Sequence, residues 1–311
     1  MTIVLAVGEA LVDVVEAVDG TVTEHPGGSV ANVAVALARL GDSVELATWL
    51  GDDARGLRVA EWLTAAGVTL TPGSTGAAHT STAVAHLDQA GAATYRFDLD
   101  WHIPERIGRV APTGLVHTGS LAAALEPGAT AVAALVARAR ATATISFDPN
   151  VRPDLMGDAA SARARIERWV AAADVVKASR DDLAWLYPER ELPEVAAAWL
   201  ASGPAVVVIT CGADGAYAEC RAGSHRARPV EVPVVDTVGA GDAFMGALLW
   251  SLGRAGLLGA PALPVLRAIG VDDLAEHVAL ASLAAGVSVG RAGADPPTLA
   301  ELAAASGKVF E

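Results

Sequence analysis

The chain opens on an apolar run, residues 2–7, whose length and β-branched content predict a buried strand closed by Gly8. Residues 11–16 and 22–25 flank Asp19-Gly20, a dipeptide suited to a tight hairpin turn. Between residues 29 and 40 the period changes: Val30, Val33, Ala34, Leu37 and Leu40 recur at helical spacing, and Gly41 ends the helix. Residues 44–50 read as a strand and 52–66 as a helix with Gly67 at its C-terminal end. Residues 80–87 and 92–97 are rich in β-formers and are joined by Asp88-Gln89-Ala90-Gly91, which predicts a second hairpin. Two hairpins among strand–helix units imply a small sheet outside the main one. Its strands would come from about residues 11–25 and 80–101, placed to serve as a lid over a site.

Beyond Pro112 the alternation becomes regular. Strands are predicted at 115–118, 144–148, 174–177 and 205–210, and helices at 128–141, 159–172, 181–187 and 193–201. Two longer helices, 240–252 and 272–287, follow, joined by a loop rich in Gly and Pro. Strands separated by amphipathic helices imply an α/β fold with a mainly parallel sheet covered on both faces. No internal repeat, low-complexity tract or long linker interrupts the pattern, so the expectation is one domain over residues 1–311, with its lid.

Composition narrows the partners. Hydrophobic residues make up 52% of the 311, as expected of a well-packed globule. Of 22 cationic side chains only Lys177 and Lys308 are lysines, a bias we attribute to coding rather than chemistry. Net charge is −14 and no basic stretch exists, which argues against a nucleic acid or an anionic membrane surface as partner. Cys211 and Cys220 are too few for a disulfide scaffold and lack companions for a zinc site. The seven histidines show no metal-ligand spacing. With no apolar run near the roughly 20 residues that span a bilayer, a cytoplasmic protein is the expectation.

The chemistry concentrates in Val234-Val235-Asp236-Thr237-Val238-Gly239-Ala240-Gly241-Asp242-Ala243-Phe244. Small residues at 239–241 let backbone N–H groups converge on an anion at a helix N-terminus, where the helix dipole favours negative charge. Asp242 falls in the first turn, facing the same place. Binding an anion gives no reason for an acid there, whereas accepting a hydroxyl proton during phosphoryl transfer does. Taken alone, the same residues would also serve a tight turn and a dipole-stabilising carboxylate. A P-loop is excluded, because Lys177 precedes Ala178 and Lys308 precedes Val309 rather than Ser or Thr. A dinucleotide fingerprint is excluded by Phe244 at the third glycine position. Near the start, Pro26-Gly27-Gly28-Ser29-Val30-Ala31-Asn32-Val33-Ala34 again sets glycines before a helix, with the amide of Asn32 in its first turn.

Together these two segments resemble the paired signatures of the PfkB, or ribokinase-like, carbohydrate kinases. The words Gly8-Glu9-Ala10-Leu11-Val12-Asp13, Asp148-Pro149-Asn150-Val151-Arg152-Pro153 and Ala292-Gly293-Ala294 fall where that family has similar ones. The resemblance covers nearly the whole chain and implies a three-layer α/β sandwich using ATP and Mg2+, with room for K+. It implies that Asp13, Gly28 and Asn32 bind sugar hydroxyls, that Asp242 is the base, and that Gly239, Ala240 and Gly241 form the anion hole. It implies that Lys177, Ser179, Thr210 and Gly212 bind ATP: Thr210 and Gly212 match positions lining its site, and Lys177 and Ser179 belong to the word that organises metal and phosphates. The family's Asn-x-x-Glu word is altered here to Ser179 and Asp182, so Asp182 is expected to reach a metal through water. Asp236 heads the segment that holds a monovalent cation in relatives. Bland readings stand beside these: Asp13 as a hairpin-edge charge, Lys177 as a surface lysine, and Asp148, Asn150 and Arg152 as a loop network.

The same words are closest to the fructokinase branch, which implies fructose as the acceptor, with 2-keto-3-deoxygluconate kinase and ribokinase as alternatives. A sugar- or nucleotide-sensing protein without turnover, and a dinucleotide oxidoreductase, are the rivals from other classes. A homodimer paired through the lid is a further expectation.

Overall fold

The computed structural model describes residues 2–87, 93–103 and 114–310. Its strands are β1 (Ile3–Val7), β2 (Leu11–Glu16), β3 (Val22–Gly27), β4 (Ser43–Ala47), β5 (Leu50–Gly51), β6 (Val68–Leu70), β7 (Thr75–Ala77), β8 (Thr82–Leu87), β9 (Ala93–Asp98), β10 (Leu115–Gly119), β11 (Thr144–Asp148), β12 (Val175–Ser179), β13 (Val206–Thr210), β14 (Ala216–Cys220) and β15 (Gly223–Ala227). The α-helices are α1 (Ser29–Arg39), α2 (Ala54–Ala65), α3 (Gly128–Ala139), α4 (Pro153–Met156), α5 (Ala159–Ala172), α6 (Arg180–Leu186), α7 (Leu192–Ser202), α8 (Ala240–Arg254), α9 (Leu263–Leu266), α10 (Val271–Val289) and α11 (Leu299–Ser306).

Nine strands form one sheet in the order β15-β14-β13-β12-β11-β10-β1-β4-β6. From β13 to β6 every pairing is parallel, and β14 and β15 add an antiparallel edge. The parallel strands are apolar on both sides because both faces are covered. In β1, Val4 and Ala6 join one core with α1, α8 and α10, while Leu5 and Val7 join the other with α3, α5, α6 and α7. The three-layer ribokinase-like α/β architecture expected from the sequence is therefore present.

The second sheet has the order β3-β2-β8-β9. Each expected hairpin pairs antiparallel, and the two meet along a parallel β2–β8 seam. Val12, Val14 and Val84 anchor this sheet to the core around α1. Leu11 and Ala83 turn the other way and pack with Leu121 and the half-buried Phe97 and Leu99. Residues 88–91, the turn expected between β8 and β9, lie outside the described residues.

Several elements depart from the expectations. The run 44–50 breaks after Ala47, and Leu50–Gly51 pairs separately with Thr75–Ala77. The β14–β15 hairpin was not expected, since small and charged residues at the sheet edge give it little alternation. The apolar segment before Gly239 is irregular and exposed: Val234 and Val235 are 66% and 63% accessible. Alanine-rich α11 is marked only by its Thr298–Glu301 capping box. No helix among the described residues is long and apolar enough to cross a membrane.

The helices that carry the two glycine motifs cross closely, and Gly246 in α8 is what lets them. A Cβ there would sit 2.5 Å from Ala36 Cβ and 3.5 Å from both Leu37 N and Val33 O of α1. Alanine gains up to about 1 kcal/mol over glycine in a helix, but overpacking against rigid backbone costs about 1–3 kcal/mol. Gly246→Ala is thus expected to lower the unfolding free energy in urea by about 1 kcal/mol or more; an unchanged or raised midpoint would show that the helices part without cost.

Candidate active site

Helices α2, α5, α6 and α11 are capped by the side chains of Asp53, Asp158, Ser179 and Thr298. Helices α1 and α8 are not: their N-caps are Gly28 and Gly239, with no side-chain cap. Both glycines are required. Gly28 has φ 109° and a Cβ would meet Glu9 O at 2.6 Å; Gly239 has φ 73° and a Cβ would meet Ala294 Cβ at 2.5 Å. First-turn N–H groups have no intrahelical acceptor, so two bare, electropositive helix ends remain at one place in the fold.

Asp242 sits in the first turn of α8 with only 8% of its surface accessible. Ser29 Oγ donates to its Oδ1 at 2.7 Å and Asn32 Nδ2 donates to its Oδ2 at 2.8 Å. Residues more than two hundred positions apart in sequence thus share one carboxylate. Burial pushes the Asp242 pKa up; Lys177 and the bonds from Asn32 and Ser29 work against that rise. Asn32 Oδ1 is buried without a hydrogen-bond partner among the described residues. The Ser29 bond was not anticipated, although Ser29 stands inside the early motif.

Asp13, on β2, lies beside Gly27, where a Cβ would overlap its Oδ2 at 2.0 Å. Burial raises its pKa to about 6, with Arg152 opposing and Asp242 adding to the shift. Arg152 also bears on Glu9, whose buried carboxyl is raised to about 7 and accepts the Ala122 N–H at 3.2 Å. One guanidinium therefore faces three carboxyl groups. Arg152 does belong to a loop network, through Asn150 Oδ1 at 2.7 Å, but its charge reaches this cleft as well.

Lys177 is not on the surface. Its ammonium is 2.8 Å from Asp148 Oδ2, with side-chain accessibilities of 6% and 1%. A Cβ on Gly241 would come within 2.8 Å of Nζ, so the ammonium lies against the first turn of α8. Ser179 and Asp182 form a reciprocal capping box on α6. Asp182 Oδ2 accepts the Ser179 N–H at 2.8 Å and Oδ1 accepts the Val151 N–H at 2.7 Å, tying the 149–152 loop to the helix. Thr210 ends β13 beside Ser179, and Gly212 opens the next turn at φ 57° with nothing within 4 Å of a Cβ. Asp236 accepts N–H bonds from Val238 at 3.0 Å and Gly293 at 2.8 Å, joining the two loops before and after the last long helices.

Among the described residues no three His, Cys, Asp or Glu side chains cluster to hold a metal. That donor set fits Mg2+ only where substrate phosphates and water supply most ligands, as this ion commonly requires.

Residues 1–301 match the model of the pfkB family carbohydrate kinases. The chain is 36% identical over 275 residues to a fructokinase from Rhizobium leguminosarum bv. trifolii, covering 82% of this chain and 81% of the relative. Its fold is similar to a crystal structure of fructokinase with bound ATP from Xylella fastidiosa, with a TM-score of 0.85, 25% identity and 98% of each chain covered. It is also similar to a fructokinase from Vibrio cholerae O395 in a form binding fructose, ADP and calcium, with a TM-score of 0.82, 27% identity and 98% of each chain covered.

Both Asp182 oxygens accept backbone N–H groups, which ties the carboxylate to the stability of the fold. Asp182→Ala orphans two backbone N–H groups, at a cost of about 1–3 kcal/mol each if they stay buried. Its urea midpoint is expected to fall by the same amount with EDTA as with Mg2+. A loss seen only when Mg2+ and ATP are present would mean that the carboxylate works mainly through the metal.

Proposed function

The chain belongs to the PfkB family of carbohydrate kinases, and from that premise we propose that it transfers the γ-phosphoryl group of ATP to a hydroxyl of fructose. The observation that carries the reading is the buried Asp242 carboxylate, held by Ser29 and Asn32 at the uncapped start of α8. In this reading the acceptor hydroxyl lies between Asp242, Asp13 and the free Oδ1 of Asn32, and Asp242 takes its proton as the oxygen attacks phosphorus. The N–H groups at Gly239–Gly241 meet the transferring phosphoryl, whose charge they stabilise along with the helix dipole. Thr210 and Gly212 line the nucleotide side, with Ser179 between them and the phosphates. Mg2+ bound with the nucleotide would neutralise phosphate charge, and Asp182 would reach it only through water because both its oxygens already accept backbone bonds. A monovalent cation near Asp236 would be held by loop carbonyls, since that carboxylate is likewise engaged.

The small sheet closes the cleft as a lid, and its register favours a neutral acceptor. The β8–β9 pairing steps evenly from Thr82↔Asp98 through Ala83↔Phe97 and Val84↔Arg96, so no slip turns Arg96 inward. Arg96 is exposed, while Phe97 packs toward Leu11 and Leu121. An acidic keto-deoxy sugar would meet Asp13, Glu9 and Asp242, with Arg152 and, at Asp242, the Lys177 ammonium to offset them.

Asp242→Asn is expected to bind ATP and fructose while losing about 10²–10⁴ in kcat; a variant retaining a third of the wild-type turnover would exclude Asp242 as the base. Asp13→Ala should raise the fructose KM about tenfold, the equivalent of one lost hydrogen bond of roughly 1.4 kcal/mol in a desolvated site, with the ATP KM little changed. An effect on the ATP KM instead would reverse the assignment of the two ends. In a coupled assay fructose should exceed 2-keto-3-deoxygluconate in kcat/KM, and the opposite order would point to a cation serving the acidic sugar.

A further inference from the structure

We propose that Lys177 is a positioning residue for the base: its buried ammonium, anchored on Asp148 and lying against the first turn of α8, is the counter-charge against which Asp242 rests. The proposal rests on the kinase reading above and adds a role toward the base to the ATP-site role that the resemblance implies for Lys177.

Three observations carry it. Lys177 and Asp148 occupy neighbouring strands, β12 and β11, in a pair 2.8 Å long that is almost wholly removed from solvent. The ammonium also lies where a Cβ on Gly241 would fall 2.8 Å from Nζ, one residue before Asp242. The third is compositional. The chain uses arginine for 20 of its 22 cations (22 less Lys177 and Lys308), yet keeps lysine here. A compact ammonium is a point charge that can serve two carboxylates from one spot, whereas a guanidinium presents a planar fork. A buried cation this costly to desolvate needs more than one anion to hold it, and Asp148 and Asp242 are the two that bear on it most strongly.

The charges facing Asp242 divide clearly. Lys177 and the exposed Arg152 favour its ionised form, Ser29 and Asn32 of α1 donate to it, and Asp13 of β2 and Asp148 of β11 oppose it. Asp182 of α6 and neutral His117 of β10 act on the Lys177–Asp148 pair rather than on the base. Without Lys177, Asp148 and Asp242 become two buried like charges with no cation between them, and the base would hold its proton to higher pH.

The test is the pH dependence of kcat/KM for fructose in Lys177→Met. The acidic limb is expected to move upward by about one unit or more, which is about a tenfold loss on the acid side with recovery toward alkaline pH. The double variant Lys177→Met/Asp148→Asn removes the stranded carboxylate and should place the limb between wild type and the single variant. A purely packing role would lower kcat/KM equally at all pH values. A wild-type limb in Lys177→Met, or in the double variant if the single one does not fold, overturns the proposal. Carboxyl ¹³C titration of Asp242, identified by its absence in Asp242→Asn, gives the same comparison without turnover. Equal midpoints in wild type and Lys177→Met would refute the role of Lys177, whereas a wild-type protein inert toward every sugar with ATP would refute the kinase reading alone.

Discussion

A carboxylate buried to 8% accessibility at the start of a helix is the constraint around which this molecule is organised. An isolated ion in such a place would take up a proton rather than stay charged. Asp242 is kept usable by two donors from α1 and by a cation from the sheet beneath. Each supplier sets a structural condition. Ser29 and Asn32 reach it only if α1 and α8 cross at van der Waals distance, which Gly246 allows against Ala36. Lys177 reaches it only if β11 and β12 lie side by side with Asp148 on the same face, which the parallel order of the sheet ensures. The glycines at 28, 239 and 241 then follow as consequences of close approach, not as flexibility.

What was legible in the sequence follows from how each feature is encoded. Parallel strands and amphipathic helices carry strong periodic signals, so β11 and α5 fall where expected to the residue. Edge elements carry weak ones: Ala216–Cys220 gains its structure from pairing with β13, and its own alternation is diluted by small residues. In the site, the motifs identified the loops that converge but not the bonds made there. Nothing in the spacing of Ser29 and Asp242 says that a serine hydroxyl faces the base. Only the bland reading of Lys177 fails, for a physical reason: a lysine at a strand end is usually solvated, and its tertiary pairing with Asp148 is what buries it. Position 241 could have supplied the signal, because a glycine inside a helix's first turn, where Ala costs less, asks for a neighbour that excludes a methyl group.

The electrostatics reconcile a strongly negative protein with an anionic substrate class. A net charge of −14 would repel a nucleotide if it were spread evenly. Exposed charges more than about 10 Å away are screened at ordinary ionic strength, whereas oriented N–H groups act at contact. Two uncapped helix starts therefore outweigh a distant surface field. In the proposed reading the cleft's own acids face the sugar, where Arg152 and Lys177 balance only part of Glu9, Asp13 and Asp242. Such an arrangement would sort ligands by charge along one groove, neutral polyol at one end and phosphate at the other.

The altered pair at Ser179 and Asp182 shows how such a groove can shift its dependence on side chains. The family's word has a longer Glu at this position. Here the shorter Asp182 is drawn back onto its own helix and onto Val151, where both oxygens are satisfied by backbone donors. That exchange strengthens the link between α6 and the loop carrying Arg152, and so fixes the guanidinium that faces Asp13 and Asp242. In the proposed reading it would also leave the phosphate region with fewer free carboxylates, reducing repulsion there at the loss of a metal anchor. More of the phosphate positioning then falls to backbone N–H groups at the α8 start, whose geometry is set by Gly239 against Ala294 and by Asp236 bridging Val238 and Gly293. A carboxylate that organises a loop and a carboxylate that organises a metal are thus alternative uses of one position, and side-chain length decides between them.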